Sequence, residues 1–287
     1  MVASVATVGR LVPSGYCVVS GRCVLCSIER KEPMTDTHGT EERDGARIHH
    51  IRFAGDVEAF LVEPSGGGRG PACLFLHWFD TESADGNRTQ FVDEAGDLAR
   101  EHGVVSLLPQ GRFPWAGDPT DPATDTARIR AEVDSHRAGI DRLATRPDVD
   151  EARIALIGHD FGAMHGTLVA AEDPRIAAVV LIAATPRWAD WFLPFWPIEG
   201  DRHEYRRALA PLDPIERVAE IGPRPVCFQF ARNDFFIAAM TGLEFHRAAG
   251  EPKEMHAYDA DHGVRDPRAR ADRAAFLRPI LEADAPR

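Results

Sequence analysis

The chain has 287 residues, of which 44% are hydrophobic and 27% charged, and its formal net charge at pH 7 is -12. This composition is ordinary for a globular enzyme, and the length suffices for one large α/β domain or two small ones. The acidic balance argues against nucleic acid or an anionic membrane as a partner, because either would require a basic face. No apolar run approaches the roughly 20 residues that cross a bilayer.

The first 33 residues carry three of the five cysteines and lack the continuous apolar core of a secretion signal. Cys23-x-x-Cys26 has the spacing of half a metal site, but no second pair completes it. An odd cysteine count without an export signal favours a reducing, cytoplasmic compartment. We expect residues 1–33 to be a disordered leader or an over-long start, and residues 34–287 to form one domain.

Beyond this segment, strand-like and helix-like patterns alternate along the chain. Strands are predicted at 47–53, 57–63, 72–78, 104–109, 153–157, 176–183, 225–230 and 254–258. Helices are predicted at 88–102, 126–146, 161–172, 238–249 and 267–282. This alternation predicts an α/β fold with a mainly parallel eight-stranded sheet and helices on both faces. The first two strands have no helix between them and should form an antiparallel hairpin at the sheet edge.

Residues 185–222 lie between two predicted central strands and are rich in aromatic residues and proline. One interpretation is a proline-broken helical excursion that packs onto the body of the domain. The other is a short helical lid whose aromatic side chains line an apolar pocket, and the density of aromatic residues favours it. The pocket candidates from this segment are Trp188, Trp191, Phe195, Trp196 and Tyr205.

The stretch ARIALIGHDFGAMHGTL, residues 152–168, predicts a strand, a tight turn and a helix. Asp160 occupies the middle of a Gly-x-nucleophile-x-Gly turn, and Gly158 and Gly162 supply the small residues that close packing there requires. The N-terminus of the following helix should stabilise the negative charge of Asp160. Asp160 could instead be a simple helix N-cap, but the flanking glycines and the apolar strand favour a nucleophile.

An acid and a histidine follow two later strands. VCFQFARNDFFI places Asp234 in the loop after the seventh strand, and MHAYDADHGV places His262 in the loop after the eighth. Both loops leave the carboxyl edge of the sheet, the edge that also carries Asp160. Asn233, Asp259 and Asp261 compete with Asp234 for the role of the acid, which we assign to Asp234 because it faces the site from its loop.

Backbone donors for a developing oxyanion are predicted in two places. LFLHWFD ends the third strand with His77, Trp78 and Phe79. One N–H should come from this loop and the other from the residue after the nucleophile. We therefore assign the backbones of Trp78 and Phe161 to the oxyanion hole and place His77 in the pocket.

The segments LFLHW, IALIGHDFGAM, FQFARNDFF and DADHGV, with the order nucleophile, acid, histidine, resemble the α/β-hydrolase superfamily. The compact form resembles dienelactone-hydrolase-like proteins and the C-terminal domains of acyl-CoA thioesterases and acyltransferases, over about residues 47–283. GHDFGA is similar to the elbow of the aspartate-nucleophile branch, which contains haloalkane and haloacetate dehalogenases and epoxide hydrolases. The resemblance implies a hydrolase with a catalytic triad.

An ionised carboxylate suits displacement at a saturated carbon better than attack on an ester, which would give a reactive anhydride. We therefore expect Asp160 to form an alkyl ester with a small apolar substrate, and water activated by His262 to hydrolyse it. The resemblance to dehalogenases implies donors for a leaving halide, which the indole N–H groups of Trp78 and of the lid tryptophans could supply. The resemblance to epoxide hydrolases implies two lid tyrosines at the epoxide oxygen, whereas this lid holds only Tyr205.

Three alternatives stay open from the sequence. They are an ester or thioester hydrolase that uses Asp160 as acid or base, a lyase using the same residues, and a degenerate ligand-binding fold. We expect neither a cofactor nor a metal, and a homodimer is compatible with the sequence.

Overall fold

The computed structural model of the chain describes residues 16–19, 22–25, 36–80, 82–83 and 86–282. Its contacts divide the chain into two units, Met1–Met34 and Thr35–Arg287. In the first unit, β1 (Tyr16–Val19) pairs antiparallel with β2 (Arg22–Leu25). The rest of the predicted leader, including Cys26 of the Cys-x-x-Cys spacing, lies outside the described residues.

The second unit is built on a nine-stranded sheet. Its strands are β3 (Asp36–Arg43), β4 (Ala46–Phe53), β5 (Val57–Pro64), β6 (Gly70–Leu76), β7 (Val105–Pro109), β8 (Val149–His159), β9 (Ile176–Ile182), β10 (Val226–Ala231) and β11 (Lys253–Tyr258). They lie in the order β11-β10-β9-β8-β6-β7-β5-β4-β3. Neighbours among β6 to β11 pair in parallel, whereas β3, β4, β5 and β7 pair antiparallel in that order.

Helices cover both faces of this sheet. They are α1 (Val92–His102), α2 (Pro122–Ala144), α3 (Phe161–Glu172), α4 (Trp188–Phe195), α5 (Arg202–Leu209), α6 (Pro214–Arg217), α7 (Ala239–Ala248) and α8 (Pro267–Leu281), with 3₁₀ turns at Arg88–Phe91, Ala210–Leu212 and Val218–Ile221. Helix α2 packs against α3, while α8 is joined to α1 through the ion pair of Arg273 with Glu94. Helices α4, α5 and α6 form the predicted excursion between β9 and β10.

The predicted fold class is confirmed, but the sheet has nine strands rather than eight. Residues 36–43, where the sequence predicts no strand, pair with β4 as an edge strand. Residues 37–43 are exposed, so this strand carries no alternation of apolar and polar residues that would identify it. Besides the backbone pairing, the Thr40 hydroxyl of β3 hydrogen-bonds to the His49 Nδ1 of β4 at 2.9 Å.

The central strands are buried along most of their length, as their continuous apolar sequences predict. Cys73 in β6 and Cys227 in β10 are free and buried. No helix in the described part of the chain combines the length and apolar character that a bilayer crossing requires. The parallel strands β8, β10 and β11 end at one edge of the sheet, and the candidate site lies there.

Candidate active site

The turn between β8 and α3 has the backbone of a sharp elbow. Asp160 has φ 55° and ψ -120°, a conformation that costs free energy in any residue other than glycine. The Asp160 N–H donates to the Ile182 carbonyl at 2.8 Å, which ties the elbow to β9. A Cβ atom on Gly158 would lie 2.6 Å from the Ala163 Cα, and one on Gly162 would lie 2.3 Å from the Leu76 carbonyl oxygen. The two glycines are therefore steric requirements of this turn.

Gly162→Ala is expected to destabilise the fold by about 3 kcal/mol or more, because neither the Leu76 backbone nor the elbow can move away cheaply. Gly96→Ala is the matched control, since a Cβ at Gly96 in α1 meets nothing within 4 Å. That change should be neutral or stabilising by up to about 1 kcal/mol. Urea unfolding of both variants measures the difference, and equal stability would contradict the steric role of Gly162.

The three predicted side chains meet above the elbow. The His262 Nδ1 atom lies 2.9 Å from the Asp234 Oδ2, and the His262 Nε2 atom lies 3.8 Å from the Asp160 Oδ1. All three side chains are at least nine-tenths buried. The imidazole therefore stands between two carboxylates, with one ring nitrogen directed at each.

Asp234 is held in place by its own loop. Its Oδ1 atom accepts the N–H groups of Phe236 at 2.8 Å and Ile237 at 3.0 Å, which leaves Oδ2 for His262. The competing candidates take part in local contacts instead. Asn233 donates to Asp259 at 2.8 Å, and Asp261 accepts the Gly263 N–H at 3.1 Å.

The surroundings of His262 stabilise its protonated form. Burial by itself lowers the pKa of His262, but the neighbouring carboxylates of Asp160 and Asp234 outweigh burial and raise the pKa to about 9. At neutral pH the site therefore holds an imidazolium between two carboxylates.

This raised pKa predicts a pH-dependent stability. In the unfolded chain His262 should lose its proton near pH 6.5, whereas in the folded protein it keeps the proton up to about pH 9. The contribution, on the order of 3 kcal/mol, is fully present below pH 6.5 and lost as the pH rises to 9. We expect the stability of the wild type to fall across this window relative to His262→Gln in urea titrations. Parallel pH profiles would contradict the assignment.

The donors near Asp160 differ from the predicted pair in one position. The Trp78 N–H donates to the Gln90 Oε1 at 3.0 Å, so it does not face the elbow. The next residue does, because the Phe79 N–H donates to the Asp160 Oδ2 at 3.3 Å. The prediction of Trp78 is thus wrong by one residue. Phe161 begins α3, where the first N–H groups lack intrahelical acceptors.

Gln90 and His159, which the sequence did not single out, connect the loops around Asp160. The Gln90 Nε2 donates to the His159 Nδ1 at 2.6 Å, and the His159 Nε2 donates to the His262 carbonyl at 2.9 Å. Together with the hydrogen bond from Trp78 to Gln90, these two hydrogen bonds link the loop after β6, the elbow and the loop that carries His262. The sequence could have pointed to His159 through its position inside the Gly-x-Asp turn. Its hydrogen-bond partners, Gln90 and His262, could not be identified because they are distant in sequence.

Aromatic rings pack against Phe161, the residue that follows Asp160, and against His262. The rings of Phe79, Trp196 and Trp191 all pack against Phe161, and the Trp191 ring centroid lies 5.9 Å from that of His262. Among the described residues, nothing accepts a hydrogen bond from the buried Trp191 Nε1. The Asp160 Oδ1 likewise has no hydrogen-bond donor there. The predicted pocket residues Trp191 and Trp196 therefore lie at the site.

Three other pocket candidates have structural roles. Trp188 is fully buried, and its indole N–H donates to the Leu212 carbonyl at 2.7 Å, closing the excursion on itself. The Tyr205 hydroxyl donates to the Asp125 Oδ2 at 2.6 Å, so it does not reach Asp160. The Nε2 atom of His77 accepts the Gly111 N–H at 2.9 Å beneath the site.

Phe195 lies farther out than predicted. It is 48% exposed and packs against Trp191 and Phe236 at the rim of the site. Phe236, which the sequence did not suggest, lies closer to the chemistry, with its ring centroid 5.1 Å from that of His262.

Comparison with known proteins shows which family the chain matches. Residues 120–278, more than half of the chain, match the Dienelactone hydrolase family. The chain is 27% identical over 178 residues to the polyketide transferase af380 of Aspergillus fumigatus, a match covering 62% of this chain and 55% of that protein. The chain thus spans about half the length of this curated relative.

Solved structures share the fold. Acetyl xylan esterase 1 from Thermoanaerobacterium sp. JW/SL YS485 superposes with a TM-score of 0.65 at 19% identity, covering 88% of both chains. The acetyl xylan esterase from Paenibacillus sp. R4 gives 0.68 at 17% identity, covering 86% of this chain and 89% of that one. At such identities the likeness establishes the fold. With the match to the family, it follows that the chain belongs to the dienelactone hydrolase family and has the α/β-hydrolase fold.

Proposed function

We propose that this hydrolase displaces a leaving group from a saturated carbon of a small apolar substrate, with Asp160 as the nucleophile. The observation that carries the proposal is the hydrogen bond from the Phe79 N–H to the carboxylate of Asp160 itself. When an aspartate is the nucleophile, the oxyanion forms on its own carboxyl group during hydrolysis of the ester intermediate. The donors of the oxyanion hole must then face the aspartate. In direct attack of water on a substrate ester, they would face the substrate carbonyl instead.

The two oxygen atoms of Asp160 have different surroundings, which fit different roles in the reaction. Oδ2 accepts the Phe79 N–H, whereas Oδ1 has no donor among the described residues and faces the His262 side. Oδ1 is therefore the attacking atom, and Oδ2 becomes the carbonyl oxygen of the ester. As Oδ1 bonds to the substrate carbon, the leaving group departs with the bonding electrons. The free indole N–H of Trp191 is available to an anionic leaving group.

The second step follows from the charge change. Ester formation removes the negative charge of Asp160, one of the two causes that hold the pKa of His262 high. The imidazole can then release its proton to solvent and act as a base. It takes a proton from water, whose oxygen adds to the Asp160 carboxyl carbon. The N–H groups of Phe79 and Phe161 stabilise the oxyanion, and collapse returns the Asp160 carboxylic acid while His262 protonates the departing alkoxide. The carboxylic acid then transfers its proton to His262, which restores the carboxylate and the protonated imidazole of the resting site.

A second candidate is direct hydrolysis of an ester or thioester with Asp160 as the base. Membership of the dienelactone hydrolase family favours it, and the curated relative is named as a transferase of polyketides. Epoxide hydrolysis has less support, because the Tyr205 hydroxyl is bound to Asp125.

A substrate panel distinguishes the candidates. Haloalkanes, haloacids, epoxides and short esters are offered to wild type, to Asp160→Asn and to the control Asp261→Asn. We expect turnover of halogenated compounds by wild type and by the control, with a loss of at least about 10³-fold in Asp160→Asn. Turnover of esters alone would favour the second candidate. Binding without turnover of any class would favour the non-catalytic alternative.

A further inference from the structure

Outside the active site, three side chains of metal-ligating type lie together on the edge strand β11 and its neighbour β10. Cys227 is the register partner of Glu254, and His256 follows two residues later on β11. Residues two apart on a strand share a face of the sheet, so the pairing brings the three side chains together. Each of them lies at least six positions along the chain from Asp234 and from His262.

The distances suit a single ion. One ligand atom from each of Cys227, Glu254 and His256 can be chosen so that all lie within 4.8 Å of one another. The His256 Nε2 is 3.0 Å from the Glu254 Oε1. Atoms spaced in this way need to move inward by less than roughly 1 Å to reach the bond lengths that Zn²⁺ makes with sulfur, nitrogen and oxygen.

A second observation points the same way. The other ring nitrogen of His256, Nδ1, lies 3.6 Å from the Asp272 Oδ2. That carboxylate accepts the Tyr258 hydroxyl at 2.8 Å, and the Tyr258 oxygen in turn accepts the amide of Gln229 at 2.9 Å. Histidines that bind metals usually present one nitrogen to the ion and the other to an anchored carboxylate. The arrangement leaves Nε2, which lies 3.0 Å from the Glu254 Oε1, for an ion.

We propose that Cys227, Glu254 and His256 bind a divalent transition-metal ion of the zinc class, with solvent completing the coordination. Thiolate, imidazole and carboxylate are the donor set that Zn²⁺ takes, whereas Mg²⁺ and Ca²⁺ prefer oxygen alone. The side chains of Glu254 and His256 are 46% and 33% exposed, so an ion reaches them from solvent, and the buried Cys227 closes the inner side. Binding releases the thiol proton to solvent.

The bound ion would join β10 to β11, the strands that lead into the loops of Asp234 and His262. Because the ligands converge only in the folded chain, binding should raise the melting temperature. At a hundredfold excess over the dissociation constant we expect a rise of roughly 5 °C or more for a unit of this size.

The test uses the full chain, stripped of metal with a chelator and titrated with CoCl₂. Cobalt bound to a thiolate gives a near-ultraviolet charge-transfer band, and ZnCl₂ should displace it. Cys227→Ala and Cys73→Ala form a matched pair, since both cysteines are free and buried in strands. We expect the band and the thermal shift in wild type and in Cys73→Ala, and neither in Cys227→Ala.

Two surface variants test the proposal independently of whether Cys227→Ala folds. His256→Gln should abolish the band, and Asp272→Asn should weaken cobalt binding by about 10- to 100-fold. Absence of the band in wild type would overturn the proposal. A band that survives in Cys227→Ala or His256→Gln would do the same, by assigning the metal to other cysteines such as Cys23 and Cys26.

Discussion

His262→Gln is expected to accept the substrate carbon onto Asp160 and to stop there. The attack needs only the carboxylate, whereas hydrolysis of the ester needs a base, and the imidazole whose Nε2 lies 3.8 Å from the Asp160 Oδ1 is placed to supply it. Turnover should fall by about 10⁴-fold, at the upper end of what a general base contributes. Intact-protein mass spectrometry after exposure to a substrate from the panel should show a stable adduct, and peptide mapping should place it on Asp160.

The control is the double variant Asp160→Asn, His262→Gln, which should show no adduct because no carboxylate remains to attack. Wild type should show the adduct only transiently. Normal turnover by His262→Gln would remove the histidine from the mechanism. An inactive His262→Gln enzyme that never carries an adduct would argue for Asp160 as a base.

Asp234→Asn is expected to lower turnover by about 10⁴-fold while leaving the fold intact. The Asp234 Oδ2 accepts the His262 Nδ1 at 2.9 Å, and its charge helps to raise the pKa of the imidazole. An amide at this position removes that charge and can present an N–H to the ring, which disfavours the required tautomer. Steady-state kinetics measures the effect, and circular dichroism checks the fold.

Asp259→Asn and Asp261→Asn are the matched controls, because both carboxylates lie in the same loop region and bond to Asn233 and Gly263 rather than to His262. Their turnover should stay within a few-fold of wild type. A large loss in either, with Asp234→Asn nearly normal, would show that the acid has been misassigned.

The sequence predicted the elements that rest on strong local patterns. Helix α3 begins and ends where predicted, since the Gly158–Gly162 turn fixes its start and an apolar run fills its length. The positions of Asp160, Asp234 and His262 followed from the rule that parallel strands end at one edge. The polar strand β3 was not predicted, because nothing in its side chains distinguishes it from a loop.

Side-chain direction was the part that sequence could not supply. The donor facing Asp160 is Phe79 rather than Trp78, a difference decided by the hydrogen bond of Trp78 to Gln90. Tyr205 is in the predicted lid, yet its hydroxyl is bound to Asp125. His159 forms hydrogen bonds with Gln90 and His262, which lie 69 and 103 positions away along the chain. Each outcome depends on a contact between segments that are distant along the chain.

The most direct test of Asp160 as the nucleophile is a single turnover in ¹⁸O-labelled water with enzyme in excess over substrate. On the covalent route, the oxygen delivered to the substrate comes from the Asp160 carboxylate, and water then attacks that carboxyl carbon. The first product should therefore be mostly unlabelled, and mass spectrometry of the Asp160 peptide should show one ¹⁸O atom. Labelled product in the first turnover, with an unlabelled Asp160 peptide, would contradict the nucleophile assignment and leave Asp160 as a base.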